Sequence, residues 1–245
     1  MFTYPDVPWQ RYWLITLLAL WAVLLFGGFI FGRGNTTRRM PTWTRITSSL
    51  VLVIVAWSWV TFTLETEVAT FALLIALGMS LGFVGDLFMA GLLPGGRFVI
   101  GGMGTFGLGH VFYIIAILTI SSQLGLDEAV PRWSALLVWQ IIGALAWTFV
   151  VFRGQKATTL HWAALPYALL LAGTAGFATG LALQAVAFVP LATGAVLFLL
   201  SDLILAAELF NNARFPFIGD VVWLTYGPAQ ALIVYAVGAA LFMHF

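Results

Sequence analysis

Apolar residues run through the chain in stretches of roughly 20, and polar residues gather in the short connections between them. About 20 apolar residues are needed for a helix to cross the roughly 30 Å of hydrocarbon in a bilayer. The pattern therefore predicts an all-α polytopic membrane protein with eight transmembrane helices, at about 11–31, 44–64, 67–90, 99–121, 133–152, 161–182, 186–209 and 219–243. The connections leave no room for a separate soluble domain, so residues 1–245 are predicted to form one integral membrane domain.

Composition agrees with this pattern. Hydrophobic residues make up 62% of the chain and charged residues 8%, which excludes an ordinary soluble domain. The first apolar stretch is longer than the core of a signal peptide, so we expect an uncleaved first helix. The chain contains no Cys, which excludes disulfides and thiolate metal ligands. A net charge of +1 and the absence of a basic, polar stretch argue against a nucleic-acid partner.

Basic residues are shared unevenly between the two sides of the predicted bundle. The connections after the first, third, fifth and seventh spans carry Arg33, Arg38, Arg39, Arg45, Arg97, Arg153, Lys156 and Arg214. The opposite side has Arg11 and Arg132. By the positive-inside rule, we expect the first side to face the cytoplasm and both termini to lie outside, in the inner or plasma membrane of the cell.

Two aspartates lie inside predicted spans, in segments that resemble each other. In residues 78–90 and 194–206, a Gly opens the segment, an Asp (Asp86 or Asp202) lies within it, and an Ala closes it. A carboxyl group inside the bilayer is costly and marks a functional site by default. If the similarity reflects a duplication, residues 1–125 and 126–245 are two four-helix halves whose aspartates meet near a common axis. Chance similarity between helices rich in Gly, Leu and Ala is the alternative.

Further polar and aromatic groups are predicted near the same end of the bundle as Asp86 and Asp202. They are Phe106, His110 and Tyr113 on one face of the fourth span, Ser201 beside Asp202, and Tyr226 and Gln230 on one face of the eighth. We predict that this set lines a substrate site around the two aspartates. The alternatives are that His110 is a hydrogen-bond partner between helices and that Tyr226 is an interfacial aromatic residue.

Two local patterns predict packing. Gly78 and Gly82 have the spacing of close helix contacts in membranes. Pro166 followed by Tyr167, inside the sixth span, predicts a kinked helix that lines a cavity.

A metal site is disfavoured. A zinc hydrolase uses two or three His beside a carboxylate, whereas His110, His161 and His244 are predicted in different spans at different depths. A hard cation on the two aspartates remains open, but no other residue supports it. We therefore expect no metal and no other cofactor.

Taken in order, these motifs resemble the YhhN family, from about the second span to the end of the chain. The matching residues are Gly85 and Asp86, then Phe98, Gly102, Phe106, His110 and Tyr113, then Ser201, Asp202 and Ala206, then Tyr226 and Gln230. That family contains lysoplasmalogenases, which hydrolyse the vinyl ether bond of lysoplasmalogens to a fatty aldehyde and glycerophosphoethanolamine or glycerophosphocholine.

The resemblance implies a lysophospholipid substrate drawn from among the membrane lipids. It also implies that Asp86 and Asp202 are the catalytic pair and that His110, Tyr113, Tyr226 and Gln230 line the site. The segment that starts at Glu208 departs from the family pattern and leaves the preferred head group open.

Vinyl ether hydrolysis suits two carboxyls on chemical grounds as well. It starts with protonation of an alkene carbon and passes through an oxocarbenium-like cation, so one carboxylic acid and one carboxylate can divide the work, as in glycosidases. The main alternative is a proton-coupled transporter of a small molecule or lipid. The position of both aspartates near one face, away from the midplane, favours the hydrolase. A metal-dependent lipid hydrolase and a purely structural scaffold are the weaker alternatives.

Overall fold

The computed structural model describes residues 7–152 and 156–243. These residues form eight long helices, each long and apolar enough to cross a membrane. They are α1 Pro8–Phe31, α2 Thr42–Thr63, α3 Ala69–Ala90, α4 Val99–Gln123, α5 Ala129–Ala146, α6 Thr159–Gln184, α7 Val189–Asn211 and α8 Ile218–Met243. The predicted all-α multi-pass membrane fold is confirmed, with span ends within about one helical turn of those expected. The predicted roles of Arg153 and His244 fall outside the described residues.

Sequential helices pack against each other in both parts of the chain, α1 on α2, α2 on α3 and α3 on α4, and likewise α5 on α6, α6 on α7 and α7 on α8. The two sets are joined through contacts of α4 with α6 and of α2 with α8. Of the eight helices, α8 is the most buried and α5 the least. The origin of the two sets by duplication stays a prediction.

Helices α3 and α4 approach each other closely at glycines. A Cβ on Gly78 would lie 2.4 Å from Cε1 of Tyr113 and 3.0 Å from the carbonyl oxygen of Gly109. A Cβ on Gly109 would in turn lie 3.0 Å from the carbonyl oxygen of Gly78. The two backbones are therefore in contact, as the spacing of small residues predicts. This contact aligns the α4 side chains with those of α3.

The α1–α2 connection is fastened to the start of α8. Asp220, which is fully buried, accepts hydrogen bonds from the backbone N–H of Arg39 (2.6 Å) and of Met40 (2.9 Å). The backbone N–H groups of Phe217 and Gly219 donate to carbonyl oxygens of the same connection, each at 2.9 Å. Because a buried carboxylate needs such donors, Asp220 fixes this connection across the end of the bundle.

The last turn of the fifth span is wider than an α-helix. Residues Trp147–Phe152 continue α5 as a π-helical segment. Trp147 stacks on Phe152 with ring centroids 5.0 Å apart, and its indole N–H donates to the carbonyl oxygen of His161 on α6 (2.9 Å). Such segments often occur at functional sites, and this one forms part of the wall of a cavity described below.

Candidate functional site

Asp86 and Asp202 line the same cavity. It has a volume of about 240 Å³ and lies at the end of the bundle where α3 and α7 finish and α4 and α8 begin. Asp86 is one turn before the end of α3 and is 4% exposed, whereas Asp202, further from the end of α7, is half-buried. Two helices distant in sequence thus bring two carboxyl groups to one cavity.

Asp86 is held by hydroxyl donors from two other helices. Ser49 of α2 and Tyr226 of α8 both donate to Oδ2 of Asp86, the latter at 3.0 Å. Gln230 donates from Nε2 to the Tyr226 hydroxyl oxygen (3.1 Å), and the Tyr113 hydroxyl donates to Oε1 of Gln230 (2.9 Å). The hydrogen bonds form one chain in which each donor points toward Asp86, and such buried networks stabilise a negative acceptor at their end.

Asp202 has a different set of partners. The hydroxyl of Tyr167 on α6 donates to Oδ2 of Asp202. Ser201 lies 3.2 Å from Oδ1, but its hydroxyl also lies 2.7 Å from the carbonyl oxygen of Phe198. A serine hydroxyl has only one hydrogen to donate, and the shorter contact takes it to Phe198. The Ser201 hydroxyl oxygen beside Oδ1 can therefore accept a hydrogen bond from a protonated Asp202.

Phe106 and Tyr226 form part of the cavity wall. The Phe106 ring meets the rings of Tyr226 and Phe198 edge to face, with centroids 6.0 Å and 6.1 Å apart. A Cβ on Gly85 would lie 2.8 Å from the Phe106 ring, so the glycine before Asp86 makes room for it. Of the predicted substrate-site residues, these two reach the cavity between the aspartates.

The other predicted substrate-site residues lie behind this wall. Tyr113 and Gln230 are buried and reach Asp86 only through Tyr226. His110 is 1% exposed, and its Nδ1 lies 2.9 Å from the hydroxyl oxygen of Thr174 on α6. The Thr174 hydroxyl also lies 3.1 Å from the carbonyl oxygen of Leu170 on its own helix, so the contact with His110 joins α4 to α6. The geometry matches the alternative of a hydrogen bond between helices for His110.

An apolar cavity continues from Asp202 between α4, α5, α6 and α7. Its lining is apolar apart from Asp202 and Tyr167, and it includes Phe106, Trp147 and Val151. Tyr167 follows Pro166 within α6, so the predicted cavity-lining role of this pair of residues is confirmed for Tyr167. Asp202 and Phe106 belong to both cavities, which makes Asp202 the carboxyl at the junction of a polar space and an apolar one.

Charged side chains line the cavity between the aspartates at its outer end, away from the apolar cavity. Its lining includes Arg38, Arg45, Arg97 and Glu208. A neighbouring polar cavity of about 380 Å³ shares Arg97 and Glu208 and adds Thr37, Asn212 and Arg214. The cavity between the aspartates therefore adjoins an apolar space through Asp202 and Phe106 and a strongly polar one through Arg97 and Glu208.

Sequence reasoning missed several partners of the two aspartates. Ser49 escaped it because a serine on a membrane helix is common and bonds its own helix backbone equally well. Arg45 was counted only as a basic connection residue, although it lies in the first turn of α2. Tyr167 was predicted to line a cavity, but its hydrogen bond to Asp202 was not foreseen. Only the assembled fold shows that Ser49 bonds Asp86, that Tyr167 bonds Asp202, and that Arg45 lines the cavity of both.

Replacing Tyr226 with Phe tests the chain of hydrogen bonds. The variant removes one donor from Asp86 and leaves Nε2 of Gln230 without its acceptor. A buried group that loses its partner costs about 1–3 kcal/mol, so we expect the free energy of unfolding to fall by about that amount. Thermal or denaturant unfolding in detergent measures it, with Tyr12→Phe at an exposed site as the matched control. Equal losses in both variants would contradict the network.

Comparisons with known proteins give one match. The sequence model of the YhhN family matches residues 40–237 of the chain. Searches of curated proteins and of solved structures return no match. The matched range contains both aspartates, the hydrogen-bond chain to Asp86, and Arg45 and Arg97 of the cavity lining, whereas Arg38 precedes it.

Proposed function

The chain belongs to the YhhN family, and from that premise we propose that it is a membrane-embedded hydrolase acting on lysoplasmalogens. It cleaves their vinyl ether bond and yields a fatty aldehyde and a glycerophospho head group. The observation that carries the proposal is the shared cavity of Asp86 and Asp202, polar at one end and continued by an apolar cavity at the other. A lysolipid has the same order of parts, with the vinyl ether between the alkyl chain and the polar glycerol.

We assign the acid to Asp202 and the carboxylate to Asp86. The alkene carbon that takes the proton belongs to the hydrocarbon side of the vinyl ether, and Asp202 is the carboxyl that also borders the apolar cavity. Asp202 accepts a hydrogen bond from one hydroxyl group, that of Tyr167. The Ser201 hydroxyl oxygen beside it can accept a hydrogen bond from the protonated form of Asp202. Asp86 receives two committed donors, from Ser49 and Tyr226, and donors of this kind stabilise an ionised carboxylate.

The reaction then proceeds in three balanced steps. Asp202 gives its proton to the chain-side alkene carbon, and the electron pair of the double bond forms the new C–H bond. The resulting oxocarbenium ion is stabilised by the Asp86 carboxylate, which takes a proton from water as the water oxygen bonds to the carbon next to the ether oxygen. The hemiacetal collapses to the aldehyde as its hydroxyl proton moves to the departing glycerol oxygen, and the proton held by Asp86 returns to Asp202.

The position of the cavity supports access from one leaflet. The cavity lies at the end of the bundle that carries Arg38, Arg97 and Arg214, which the positive-inside rule assigns to the cytoplasm. We therefore propose that lysolipid enters from the cytoplasmic leaflet and that the water-soluble head group leaves on the same side.

The test is aldehyde release by the purified protein in detergent. A 1-alkenyl-glycerophosphoethanolamine is the substrate, and its 1-acyl counterpart is the matched control, because an ester cannot follow the vinyl ether route. We expect a fatty aldehyde from the alkenyl lipid and no fatty acid from the acyl lipid. Release from no alkenyl lysolipid would contradict the proposal and would favour the transporter.

We expect the reaction to be insensitive to chelators. Within residues 7–152 and 156–243, no three His, Asp or Glu residues group as a metal site would require, and the proposed proton comes from a carboxyl group. Dialysis against EDTA should leave the rate unchanged, and later addition of Mg²⁺, Mn²⁺ or Zn²⁺ should not raise it. Loss of activity on dialysis with recovery on adding one of these ions would show that the two aspartates hold a cation instead.

A further inference from the structure

Arg45 is a buried cation in the wall of the cavity that contains Asp86. It is 6% exposed, its Nη2 donates to the Thr42 hydroxyl oxygen at 3.0 Å, and its guanidinium lies 5.4 Å from the centre of the Trp223 ring. Its Nε has no hydrogen-bond partner among the residues that the structure describes. A buried charged group with an unused donor is costly, so an anion that enters the cavity would relieve this cost.

Arg38 lies on the same cavity and also has an unused donor. Its Nε is buried and without a hydrogen-bond partner in the described part of the chain. The guanidinium packs over Gly219, where a Cβ would lie 2.7 Å from Nε. Its backbone is fixed as well, because Asp220 holds the next two residues, Arg39 and Met40. The two guanidinium groups are therefore positioned before any ligand binds, which lowers the entropic cost of binding.

The lining of this cavity is rich in arginine. It includes Arg38, Arg45 and Arg97 together with the carboxyl groups of Asp86, Asp202 and Glu208. The proposed reaction needs Asp202 to be protonated, which leaves two lining carboxylates beside the three arginines. A phosphodiester carries one negative charge, and arginine is the side chain best suited to phosphate, because its N–H groups match two phosphate oxygens at once.

We propose that Arg45 and Arg38 bind the phosphate of the lysolipid head group at the end of the cavity away from the apolar space. This proposal deepens the function proposed above and rests on it for the identity of the ligand. It divides the substrate among three places: the phosphate at the arginines, the vinyl ether between the two aspartates, and the alkyl chain beyond Asp202. The site then selects lysolipids that carry a phosphate over alkenyl or alkyl glycerols that lack one.

Binding of stable analogues tests this independently of turnover. The probes are 1-O-hexadecyl-glycerophosphoethanolamine, which has no vinyl ether to hydrolyse, and 1-O-hexadecylglycerol, which lacks the phosphate. Equilibrium binding is measured in mixed micelles, with each lipid given as a mole fraction. We expect the wild type to bind the phosphate-bearing probe at least about tenfold more tightly, since one charge-assisted hydrogen bond commonly contributes that much. Arg45→Gln should remove most of this preference, and Arg38→Gln part of it.

The controls separate this subsite from general charge and folding effects. Arg33→Gln removes one positive charge from an exposed position of the same connection and should keep the preference. Arg45→Lys keeps the charge without the forked donors and should retain only part of it. Unfolding temperatures identify any variant that fails to fold. If both Arg45 variants fail to fold, the test rests on two results. They are the preference of the wild type for the phosphate-bearing probe and the reduction of that preference in Arg38→Gln.

Three results would overturn the subsite. They are equal binding of both probes by the wild type, equal losses in Arg45→Gln and Arg33→Gln, and Arg45-dependent binding of inorganic phosphate with no preference between the lipids. Aldehyde release from the alkenyl substrate is measured in parallel. Preference without aldehyde contradicts the proposed reaction and keeps the phosphate site, whereas aldehyde without preference contradicts the phosphate site alone.

Discussion

Asp202→Asn reduces aldehyde release by about a thousandfold, the middle of the range for the loss of a general acid. An amide of the same shape cannot give a proton to the alkene carbon, although it still accepts the hydrogen bond from Tyr167. Asp86→Asn should cost a similar factor, because the cation then lacks its carboxylate and water lacks its base. The rate is measured with saturating alkenyl lysolipid, so that a change in kcat is separated from a change in binding.

A carboxyl group outside the cavity provides the control, because its replacement removes the same charge and the variant is purified in the same way. Asp127→Asn removes a carboxylate from an exposed position on the opposite side of the bundle and should leave kcat unchanged. The double variant Asp86→Asn/Asp202→Asn should be no slower than the slower single variant, because residues that act as a unit are not additive. Full turnover by either single variant, with unfolding unchanged, would rule out the acid and carboxylate pair.

Gly78→Ala lowers the free energy of unfolding by about 1–3 kcal/mol, as expected for an overpacked core. The new methyl group would lie 2.4 Å from the Tyr113 ring and 3.0 Å from the Gly109 carbonyl oxygen. The ring cannot simply turn aside, because its hydroxyl donates to Gln230 and through it supports Tyr226. We therefore expect a lower unfolding temperature together with a lower kcat.

Gly104→Ala is the control for this prediction. It lies on α4, and a Cβ there would meet nothing within 4 Å. Alanine favours helix more than glycine does, so this variant should be as stable as the wild type or more stable. A Gly78→Ala protein as stable as Gly104→Ala would mean that α3 and α4 do not pack closely at this point.

Most of the fold could be predicted because the bilayer imposes it. Apolar stretches of about 20 residues have no other stable form in hydrocarbon than a helix, and all eight were found at their expected places. The Trp147–Phe152 turn was not foreseen. A π-helical turn and an α-helical one differ by a single inserted residue, and the apolar pattern around Trp147 is compatible with both.

The candidate site could be predicted in part. Burial cost alone singled out Asp86 and Asp202, and helical periodicity put Phe106, Tyr113 and His110 on one interior face, where all three are buried. Periodicity does not tell which of these reaches a cavity, because that depends on the neighbouring helices. Phe106 lines the cavity of the aspartates. Tyr113 lies behind the cavity wall, where it donates a hydrogen bond to Gln230, and His110 is hydrogen-bonded to Thr174 on α6.

The most direct measurement is the fate of solvent atoms during turnover of an alkenyl lysolipid. In D₂O, carbon protonation by Asp202 puts one deuterium on the aldehyde carbon next to the carbonyl group. In H₂¹⁸O, attack at the vinyl carbon leaves the original oxygen on the glycerol product. Mass spectrometry of both products at early times should show one deuterium and unlabelled glycerophosphoethanolamine. An aldehyde without deuterium, ¹⁸O in the glycerol product, or no aldehyde at all would contradict proton transfer between the two aspartates as the basis of the activity.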